Sequence, residues 1–205
     1  MLISERKQFI FYHVYKVAGS SIRDALRPYC SKQQIIMQNL LYGASTLGVK
    51  LPVAPIYKFH PTLNEVKEYM GDEFNSYFRF AFVRHPLDWQ KSLYFFMRKN
   101  KRHHQHEIIS RLTFDEYIKW RIDEDLHLMS DLVTDDEGTL LLDEIYRFED
   151  IESEFKRLCT KLDISASLPH MNIAGKGKTV EMKDSTVKEF KEAFAKDFTN
   201  FKYEQ

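Results

Sequence analysis

Residues 9–26 read FIFYHVYKVAGSSIRDAL and decide how the rest of the chain is organised. The apolar and aromatic run over residues 9–15 is typical of a buried strand. The small residues that follow allow the backbone to turn tightly and to approach a ligand closely. Residues 22–26 then have the spacing of a helix, which ends before Pro28. A strand, a small-residue loop and a helix N-terminus together aim backbone N–H groups and the positive end of the helix dipole at an anion.

The side chains of this loop support an anion site. Lys16 adds a mobile positive charge, and two serine hydroxyls add hydrogen-bond donors. The loop is not a Walker A sequence, because its lysine precedes the glycine instead of following one. Taken alone, the segment also fits an ordinary strand-to-helix turn with Ser20 as the N-cap. The candidate ligands of the anion are Lys16, Val17, Ala18, Gly19, Ser20 and Ser21.

Composition is that of a globular protein with one core. The 205 residues suit a single domain over residues 1–205, with 43% hydrophobic and 29% charged side chains. Lys+Arg and Asp+Glu number 30 each, so no overall basic field argues for nucleic acid, and any anion site must be local. Cys30 and Cys159 make neither a disulfide framework nor a metal-ligand set. With no apolar run of membrane-spanning length and no signal peptide, we expect a cytoplasmic protein or a soluble domain trimmed of a targeting segment.

A second candidate anion site follows residues 77–83, the most strand-like stretch of the chain. This predicted strand ends at Arg84, and a helix predicted over residues 87–99 carries Ser92 near its start. The guanidinium of Arg84 and the hydroxyl of Ser92 could converge on one phosphate. Alternatively, Arg84 belongs to a structural ion pair and Ser92 is solvated. Two anion sites at the ends of successive strands suggest a ligand with phosphates at two places.

A candidate base lies between these two elements. Residues 56–60 predict a strand with His60 at its C-terminal end. Thr62 and Glu65 have the spacing of a capping box and predict a helix to about Met70, ended by a glycine. In open α/β sheets this edge is where ligands bind. The alternative is a packed or surface histidine.

The remaining segments complete an alternation of strands and helices. Residues 34–37 predict a short strand, residues 41–55 a loop, and residues 140–148 strand structure, while helices are predicted to begin near Thr113, Asp150 and Asp184. The residues predicted to face inward on helices are Trp89, Leu93, Phe96, Ile151, Phe155, Leu158, Leu162, Val187, Phe190 and Phe194. This alternation predicts an α/β fold with a central, mostly parallel sheet flanked by helices on both faces.

Two further segments are basic. Residues 98–106 form the one dense basic cluster, which could steer an anionic substrate or be an exposed, solvated loop. Residues 168–178 are polar, basic and contain glycine. They could fold over a phosphate as a lid, with Lys176 and Lys178 as candidate ligands, or be a plain connector.

Together these motifs resemble the sulfotransferases that use 3′-phosphoadenosine 5′-phosphosulfate, most closely their carbohydrate-modifying branch. Residues 16–21 resemble the family's 5′-phosphosulfate loop, and residues 80–92 resemble its 3′-phosphate motif. Tyr15 departs from the pattern where the family usually has proline, and His85 where asparagine is common. Golgi members carry a membrane anchor that this chain lacks, which suggests a bacterial-type soluble enzyme or a trimmed domain. The similarity spans nearly the whole chain and continues in residues 146–150, 168–172 and 197–201.

The resemblance implies a P-loop-like three-layer fold and in-line sulfuryl transfer from that donor to a hydroxyl group, on a carbohydrate, without a metal. Lys16 and the loop N–H groups would stabilise charge on the bridging oxygen, while Arg84 and Ser92 would hold the 3′-phosphate. His60 is the candidate base, because its position resembles that of the catalytic histidine of the hexuronic 2-O-sulfotransferases. His13, beside the loop, is a weaker candidate, and a role in strand packing is favoured for it.

Two other functions stay open. An ATP- or GTP-dependent kinase of the related P-loop fold would bind ATP with Mg²⁺, although the chain has no Walker A sequence and no evident pair of Mg²⁺ ligands. A catalytically inactive nucleotide- or glycan-binding protein of the same fold would keep Arg84 and Ser92 and would be indifferent to His60→Ala.

Overall fold

The structure is a computed structural model that describes residues 1–46, 48–49, 52–58, 60–169 and 179–205. Its strands are β1 (Leu2–Ser4), β2 (Phe9–Tyr12), β3 (Phe78–Val83) and β4 (Glu144–Arg147). Its helices are α1 (Gly19–Leu26), α2 (Lys32–Thr46), α3 (Leu63–Met70), α4 (Pro86–Lys99), α5 (His106–Ile109), α6 (Phe114–Asp123), α7 (Ile151–Lys161), α8 (Asp184–Ala193) and α9 (Ala195–Asn200). None of the helices in these ranges is long and apolar enough to cross a membrane.

The chain divides into two compact units, which are described separately. The first comprises Met1–Val83 and Asp131–Met171 and holds the sheet. The second comprises Arg84–Ser130 and Asn172–Gln205 and is helical over the residues described. That residues 1–205 act as one domain stays a prediction.

The sheet of the first unit has the order β1-β2-β3-β4. β1 pairs with β2 antiparallel, whereas β2 with β3 and β3 with β4 are parallel. The predicted α/β class with a mostly parallel sheet is therefore confirmed. Since parallel strands end at the same edge of a sheet, β2 and β3 both end on one side of it, at Tyr12 and Val83.

Aromatic side chains pack across the parallel strands. β2 is buried along its whole length, which explains why its sequence is continuously apolar and does not alternate. Phe11 pairs with Phe80 of β3, with ring centroids 5.5 Å apart, and Phe82 stacks on Tyr146 of β4 at 5.2 Å. Cross-strand aromatic pairs of this kind fix the register of the sheet.

The short strand predicted over residues 34–37 is wrong, because these residues lie inside α2. The helix is held to β1 by amide side chains. Gln34 Oε1 accepts a hydrogen bond from the Ile3 N–H at 2.9 Å, and Gln38 Nε2 donates to the Met1 carbonyl at 3.0 Å. These bonds occupy backbone groups in β1 and just before it, at the edge of the sheet.

The opposite side of α2 is apolar and exposed. Ile36 and Leu40 are 67% and 60% exposed, although both are hydrophobic. The helix therefore departs from the usual amphipathic pattern, since Gln34 and Gln38 are buried together with Leu41 while two aliphatic side chains face outward. The helix also continues to Thr46, so the loop predicted over residues 41–55 is wrong in its first part.

The strand predicted over residues 56–60 is also wrong. Pro55–Tyr57 form a short 3-10 helix that begins with a proline, and Phe59 lies outside the described residues. His60 therefore does not stand at the C-terminal end of a strand of the sheet. The next helix is as predicted: Thr62 and Glu65 form a reciprocal capping box, and a glycine with φ of 59° ends α3.

The first unit closes with β4 and α7. Within the predicted segment 140–148, the strand covers only Glu144–Arg147. Leu140 makes an isolated bridge to Thr134. The helix predicted from Asp150 is confirmed, and its four predicted inward residues are all buried, namely Ile151, Phe155, Leu158 and Leu162.

The second unit begins with α4. Trp89 and Leu93 are buried as predicted, whereas Phe96 is 39% exposed. Met97 is buried in its place, because positions 89, 93 and 97 follow the four-residue spacing along one face of a helix. The remaining predicted inward residues, on α8 and just after it, are Phe190 and Phe194, both buried, and Val187, which is half-buried.

Carboxylates connect the helices of this unit. The predicted helix from Thr113 is confirmed, with a capping box to Glu116. Asp115 Oδ1 accepts a hydrogen bond from the Lys183 N–H at 2.8 Å, just ahead of α8. The buried Asp197 of α9 accepts the backbone N–H groups of Met129 and Ser130 at 3.0 and 2.7 Å.

Candidate active site

The loop between β2 and α1 has an unusual backbone. Lys16 and Ala18 have φ angles of 66° and 57°, in the left-handed region that L-residues rarely adopt. Ala18 is the N-cap of α1, so the alternative in which Ser20 caps the helix is wrong. Val17, between the two left-handed residues, is fully buried and anchors the loop. Backbone strain of this kind persists only where the surrounding structure enforces it, and it is common at binding sites.

The first turn of α1 has backbone donors that precede its helical hydrogen bonds. The first helical hydrogen bond runs from the Ile22 N–H to the Ala18 carbonyl at 3.1 Å. The N–H groups of Gly19, Ser20 and Ser21 therefore precede the hydrogen-bonded part of the helix. They share the helix terminus where the dipole is positive, and Lys16 stands just before them. This arrangement can bind an anion through the backbone.

His13 explains why residue 19 is glycine. A Cβ atom at position 19 would lie 1.8 Å from both Cδ2 and Nε2 of the His13 ring. The imidazole therefore lies directly against the backbone at the start of α1. Burial is the main cause that lowers the pKa of His13 to about 3, so the ring is neutral at physiological pH. This contact favours the packing role that the sequence analysis gave to His13.

His60 lies near this loop despite the absence of the predicted strand. Its ring centroid is 6.2 Å from that of His13 and 5.9 Å from that of Tyr15, edge-on to the latter. The adjoining Pro61 carbonyl accepts a 2.6 Å hydrogen bond from the buried Tyr12 hydroxyl, which ties this segment to the end of β2. His60 is an exposed residue, yet desolvation by the surrounding protein lowers its pKa below the ordinary value. A neutral, accessible imidazole can accept a proton.

Arg84 and Ser92 belong to the second unit. Arg84 follows the last residue of β3 in the chain, and Pro86 begins α4. Ser92 is buried within α4, about 9 Å along the helix axis from Pro86 at 1.5 Å per residue. That these two side chains share one phosphate stays a prediction.

His85, one of the departures from the family pattern, is part of the packing of the second unit. Its ring meets Phe198 at 5.5 Å and Tyr203 at 5.4 Å, edge-on in both cases. An imidazole at this position thus connects the start of α4 to the aromatic C-terminal segment.

The basic segment 98–106 makes local contacts within the second unit. The Arg98 guanidinium donates to the Tyr94 hydroxyl and lies 5.1 Å from the centre of that ring. His106 Nδ1 lies 2.9 Å from the Met97 carbonyl oxygen. Lys176 and Lys178 lie outside the described residues.

Sequence reasoning missed two arginines, one on α1 and one at its C-terminal end. Arg23 and Arg27 line a cavity of about 250 Å³ together with His13 and Ser20. Their four-residue spacing directly after the loop was the available signal. Within the ranges described, no group of three or more His, Cys, Asp or Glu side chains could hold a metal ion.

Comparison with known proteins gives one match. A family model described as the sulfotransferase family matches residues 1–204. No curated protein and no solved structure gives a significant match.

Proposed function

Because this chain belongs to the sulfotransferase family, we propose that it transfers a sulfuryl group from 3′-phosphoadenosine 5′-phosphosulfate to a hydroxyl group of a carbohydrate. Family membership supports sulfuryl transfer in general, and the donor and acceptor are the proposal. The observation that carries it is the junction between β2 and α1, where strained backbone leads into a helix start that can bind an anion. We infer that this junction corresponds to the phosphate-binding loop of a P-loop-like fold.

The residues of this junction fit the phosphosulfate end of the donor. Lys16 and the N–H groups of the first turn of α1 oppose the negative charge that builds on the bridging oxygen as the S–O bond to the donor breaks. The hydroxyls of Ser20 and Ser21 can add further hydrogen bonds. These groups supply the positive field for the transfer, so the proposal includes no metal ligand.

Arg84 and Ser92 have the second role in the proposal. A guanidinium binds a phosphate through paired charged hydrogen bonds, and a serine hydroxyl can complete its coordination. We assign them to the 3′-phosphate, which would fix the donor in position for transfer. Lys176 and Lys178 stay candidate donor ligands on the basis of sequence alone.

His60 is the proposed base. The acceptor oxygen forms a bond to sulfur as it loses its proton to an imidazole nitrogen of His60, and the donor departs as the 3′,5′-bisphosphate. The lowered pKa supports this role, since the imidazole is then neutral at physiological pH. His13 is less suited to it, because its ring is packed against Gly19.

Ligand-dependent thermal stability tests the donor site. We would melt the protein with 3′-phosphoadenosine 5′-phosphate, the desulfated donor, and separately with ATP and Mg²⁺. At about a hundred times its Kd a ligand stabilises the native state by roughly 2.7 kcal/mol, which raises the Tm by a few degrees. We expect the desulfated donor to give this shift and Lys16→Ala or Arg84→Ala to reduce it. Lys32→Ala, an exposed lysine at the start of α2, is the matched control and keeps the shift.

The two ligands separate the candidate functions. A shift with ATP and Mg²⁺ alone would support a kinase and overturn the roles of Arg84 and Ser92. A shift with the desulfated donor, combined with unchanged sulfuryl transfer in His60→Ala, would remove His60 as the base. Donor binding without transfer to any hydroxyl acceptor would indicate an inactive member of the family.

A further inference from the structure

His60, the proposed base, lies on a short connection between two helical elements. Lys58 is the C-cap of the 3-10 helix before it, and Thr62 is the N-cap of α3 after it. His60 itself is exposed. An exposed side chain can populate several rotamers, whereas proton transfer requires an imidazole nitrogen within hydrogen-bond reach of the acceptor hydroxyl. A base at this position therefore needs neighbours that hold its ring.

The backbone on both sides of His60 is fixed by side chains. The Pro61 carbonyl accepts a 2.6 Å hydrogen bond from the Tyr12 hydroxyl. Lys58 Nζ donates to Glu65 Oε1 at 2.7 Å, which ties the start of the connection to α3. These bonds set the path of the chain through His60 but leave the rotamer of its imidazole undetermined. The orientation of the ring must come from side chains that pack against it.

Two rings of the β2–α1 junction lie beside this imidazole. The Tyr15 ring meets the His60 ring edge-on, with centroids 5.9 Å apart and an interplanar angle of 78°. The His13 ring lies 6.2 Å from the His60 ring and is tilted by 56°. Edge-on contact at such a separation is a favoured aromatic geometry. The contact with Tyr15 is therefore the more directional of the two.

Tyr15 is itself held in place. It is half-buried and follows the fully buried Val14. Burial is the main cause that raises the pKa of Tyr12, and the neighbouring Tyr15 phenol raises it further, so the two phenols lie close enough to interact. Tyr12 in turn bonds to the Pro61 carbonyl, next to His60. Tyr15 thus belongs to a connected group of side chains between the end of β2 and the segment of the base.

We propose that Tyr15 is a positioning residue for the base, because its ring holds the His60 imidazole in the rotamer that receives the proton of the acceptor hydroxyl. The inference rests on the proposed function, in which His60 is that base. Tyr15 takes no part in the bond changes. The role is a feature of this chain, since the family usually has proline at this position and proline offers no aromatic ring for the contact.

Turnover of the donor tests the inference without knowledge of the natural acceptor. Release of the 3′,5′-bisphosphate is followed with methyl glucoside as a minimal hydroxyl acceptor and with water as the competing one. Tyr15→Ala should lower kcat about threefold to tenfold, the range expected when one aromatic contact that selects a rotamer is lost. The KM for the donor should change by less than about twofold, because Tyr15 serves the base.

Matched variants assign the loss of kcat to the ring. Tyr15→Phe keeps the ring and should retain the wild-type kcat. Tyr15→Leu keeps apolar bulk without an aromatic ring, so it should show the loss even if Tyr15→Ala does not fold. Tyr69→Ala, at an exposed tyrosine of α3, removes the same side chain elsewhere in the first unit and should leave kcat intact. A wild-type kcat in Tyr15→Leu, or a loss in Tyr15→Phe as large as in Tyr15→Leu, would overturn the inference.

A double-mutant cycle shows whether Tyr15 acts through His60. In the His60→Ala background, Tyr15→Ala should cause no further loss of kcat, because no base remains to be oriented. A loss as large as that in the wild-type background would mean that Tyr15 shapes the adjoining loop at Lys16 instead. That result would overturn the inference.

NMR titration of the His60 ring gives a readout that needs no turnover. Desolvation is the main cause that lowers the pKa of His60, and the Met1 amino group lowers it further. His13 stays neutral in this pH range, since its pKa is about 3. Loss of the Tyr15 ring exposes the imidazole to water, so Tyr15→Ala should raise the pKa of His60 toward about 6.5, and Tyr15→Phe should keep it low. An unchanged pKa in Tyr15→Ala would contradict the proposed contact.

The thermal shift with the desulfated donor separates the two possible failures. Tyr15→Ala should keep this shift, which shows that the donor site is intact. If the wild-type protein gives the shift and releases the bisphosphate no faster than Tyr15→Ala does, the proposed function stands and the role of Tyr15 fails. If the wild-type protein gives neither the shift nor release, the proposed function fails, and the role of Tyr15 fails with it.

Discussion

The two strand-to-helix junctions that carry the candidate site, after β2 and after β3, have contrasting structures. After β2, residues 13–18 form a long connection with two left-handed residues, and α1 begins at a glycine. After β3, only Arg84 and His85 intervene, neither has a positive φ, and α4 begins at Pro86. The first junction presents backbone N–H groups. At the second junction Pro86 has no backbone N–H, and the charged group available there is the guanidinium of Arg84.

This difference suggests a division of labour between the two junctions. Backbone donors at a helix start are fixed in place, so they can stabilise negative charge that develops near them during a reaction. A side chain such as arginine binds a stable, fully charged phosphate well and tolerates some change of backbone. We therefore expect the first junction to act on the rate of transfer and the second to act on donor affinity.

The largest expected effect separates these two roles. Lys16→Ala should lower kcat by about 10²–10³, the usual loss when one stabilising donor is removed from a developing negative charge. Arg84→Ala should instead weaken binding of the desulfated donor by about 10–100-fold, since a hydrogen bond to a charged group contributes about 1.5–3 kcal/mol. Steady-state kinetics and calorimetric titration of both variants measure the two effects. If Lys16→Ala weakened binding of the desulfated donor as much as Arg84→Ala does, the proposed division between rate and donor affinity would be wrong.

Gly19→Ala should disrupt the first junction alone. The new Cβ would meet the His13 ring at 1.8 Å, so either the imidazole or the helix start must move. We expect a loss of stability of about 1–3 kcal/mol, as for other overpacked sites, together with weaker donor binding. Chemical denaturation and the donor-induced thermal shift report the two quantities.

The chain offers a matched control for this substitution. Gly43 lies in α2, and a Cβ there would meet nothing within 4 Å. Gly43→Ala should be neutral or stabilise by up to about 1 kcal/mol, because alanine is the better helix former. Shortening the histidine in His13→Ala/Gly19→Ala should recover part of the lost stability. If the double variant were no more stable than Gly19→Ala, the contact with the His13 ring would not be the reason why position 19 requires glycine.

Local sequence signals predicted much of the fold. The capping boxes at Thr62 and Thr113 and the aromatic strand before Arg84 were all correct, because each depends on residues close together in the chain. The strand predicted over residues 34–37 is wrong because Gln34 and Gln38 bind the backbone of Ile3 and Met1, which buries two polar residues of α2 and obscures its hydrophobic pattern. Such a long-range pairing leaves no local signature.

The candidate site was predictable in composition and less so in geometry. Lys16 and its glycine-serine loop stood out by residue type. The contact between His13 and Gly19 did not, since it depends on left-handed backbone at Lys16 and Ala18, a conformation these residues rarely adopt. His60 was predicted on a strand that does not form, yet its ring lies 5.9 Å from that of Tyr15.

Acid titration should reveal the neutral imidazole of His13 in the first junction. Unfolded histidine has a pKa of about 6.5, whereas His13 in the folded protein has a pKa of about 3. Between these values the unfolded state binds more protons, so the free energy of unfolding falls as pH falls from 6.5 toward 3. Above pH 6.5 the contribution is complete and constant. The slope from one such group is at most about 1.4 kcal/mol per pH unit.

Variants assign this slope to His13. In urea denaturation across that pH range, His13→Gln should have a shallower dependence than the wild-type protein. His104→Gln, at an exposed histidine of the second unit, should retain the wild-type slope. Parallel curves for His13→Gln and the wild type would mean that His13 is not held neutral by the fold.

The smallest expected effect concerns the second junction. His85→Asn introduces the residue common in the family and removes the edge-on contacts to Phe198 and Tyr203. Since an aromatic pair contributes about 0.5–1.5 kcal/mol, we expect a loss of about 1 kcal/mol in the free energy of unfolding. Donor affinity should change by less than about twofold, a difference below roughly 0.4 kcal/mol, because we assign donor binding at this junction to Arg84. His85→Phe keeps an aromatic ring and should retain most of the stability. A large loss of donor affinity in both variants would instead make His85 a ligand of the donor, and the second junction would then bind with more than its arginine and serine.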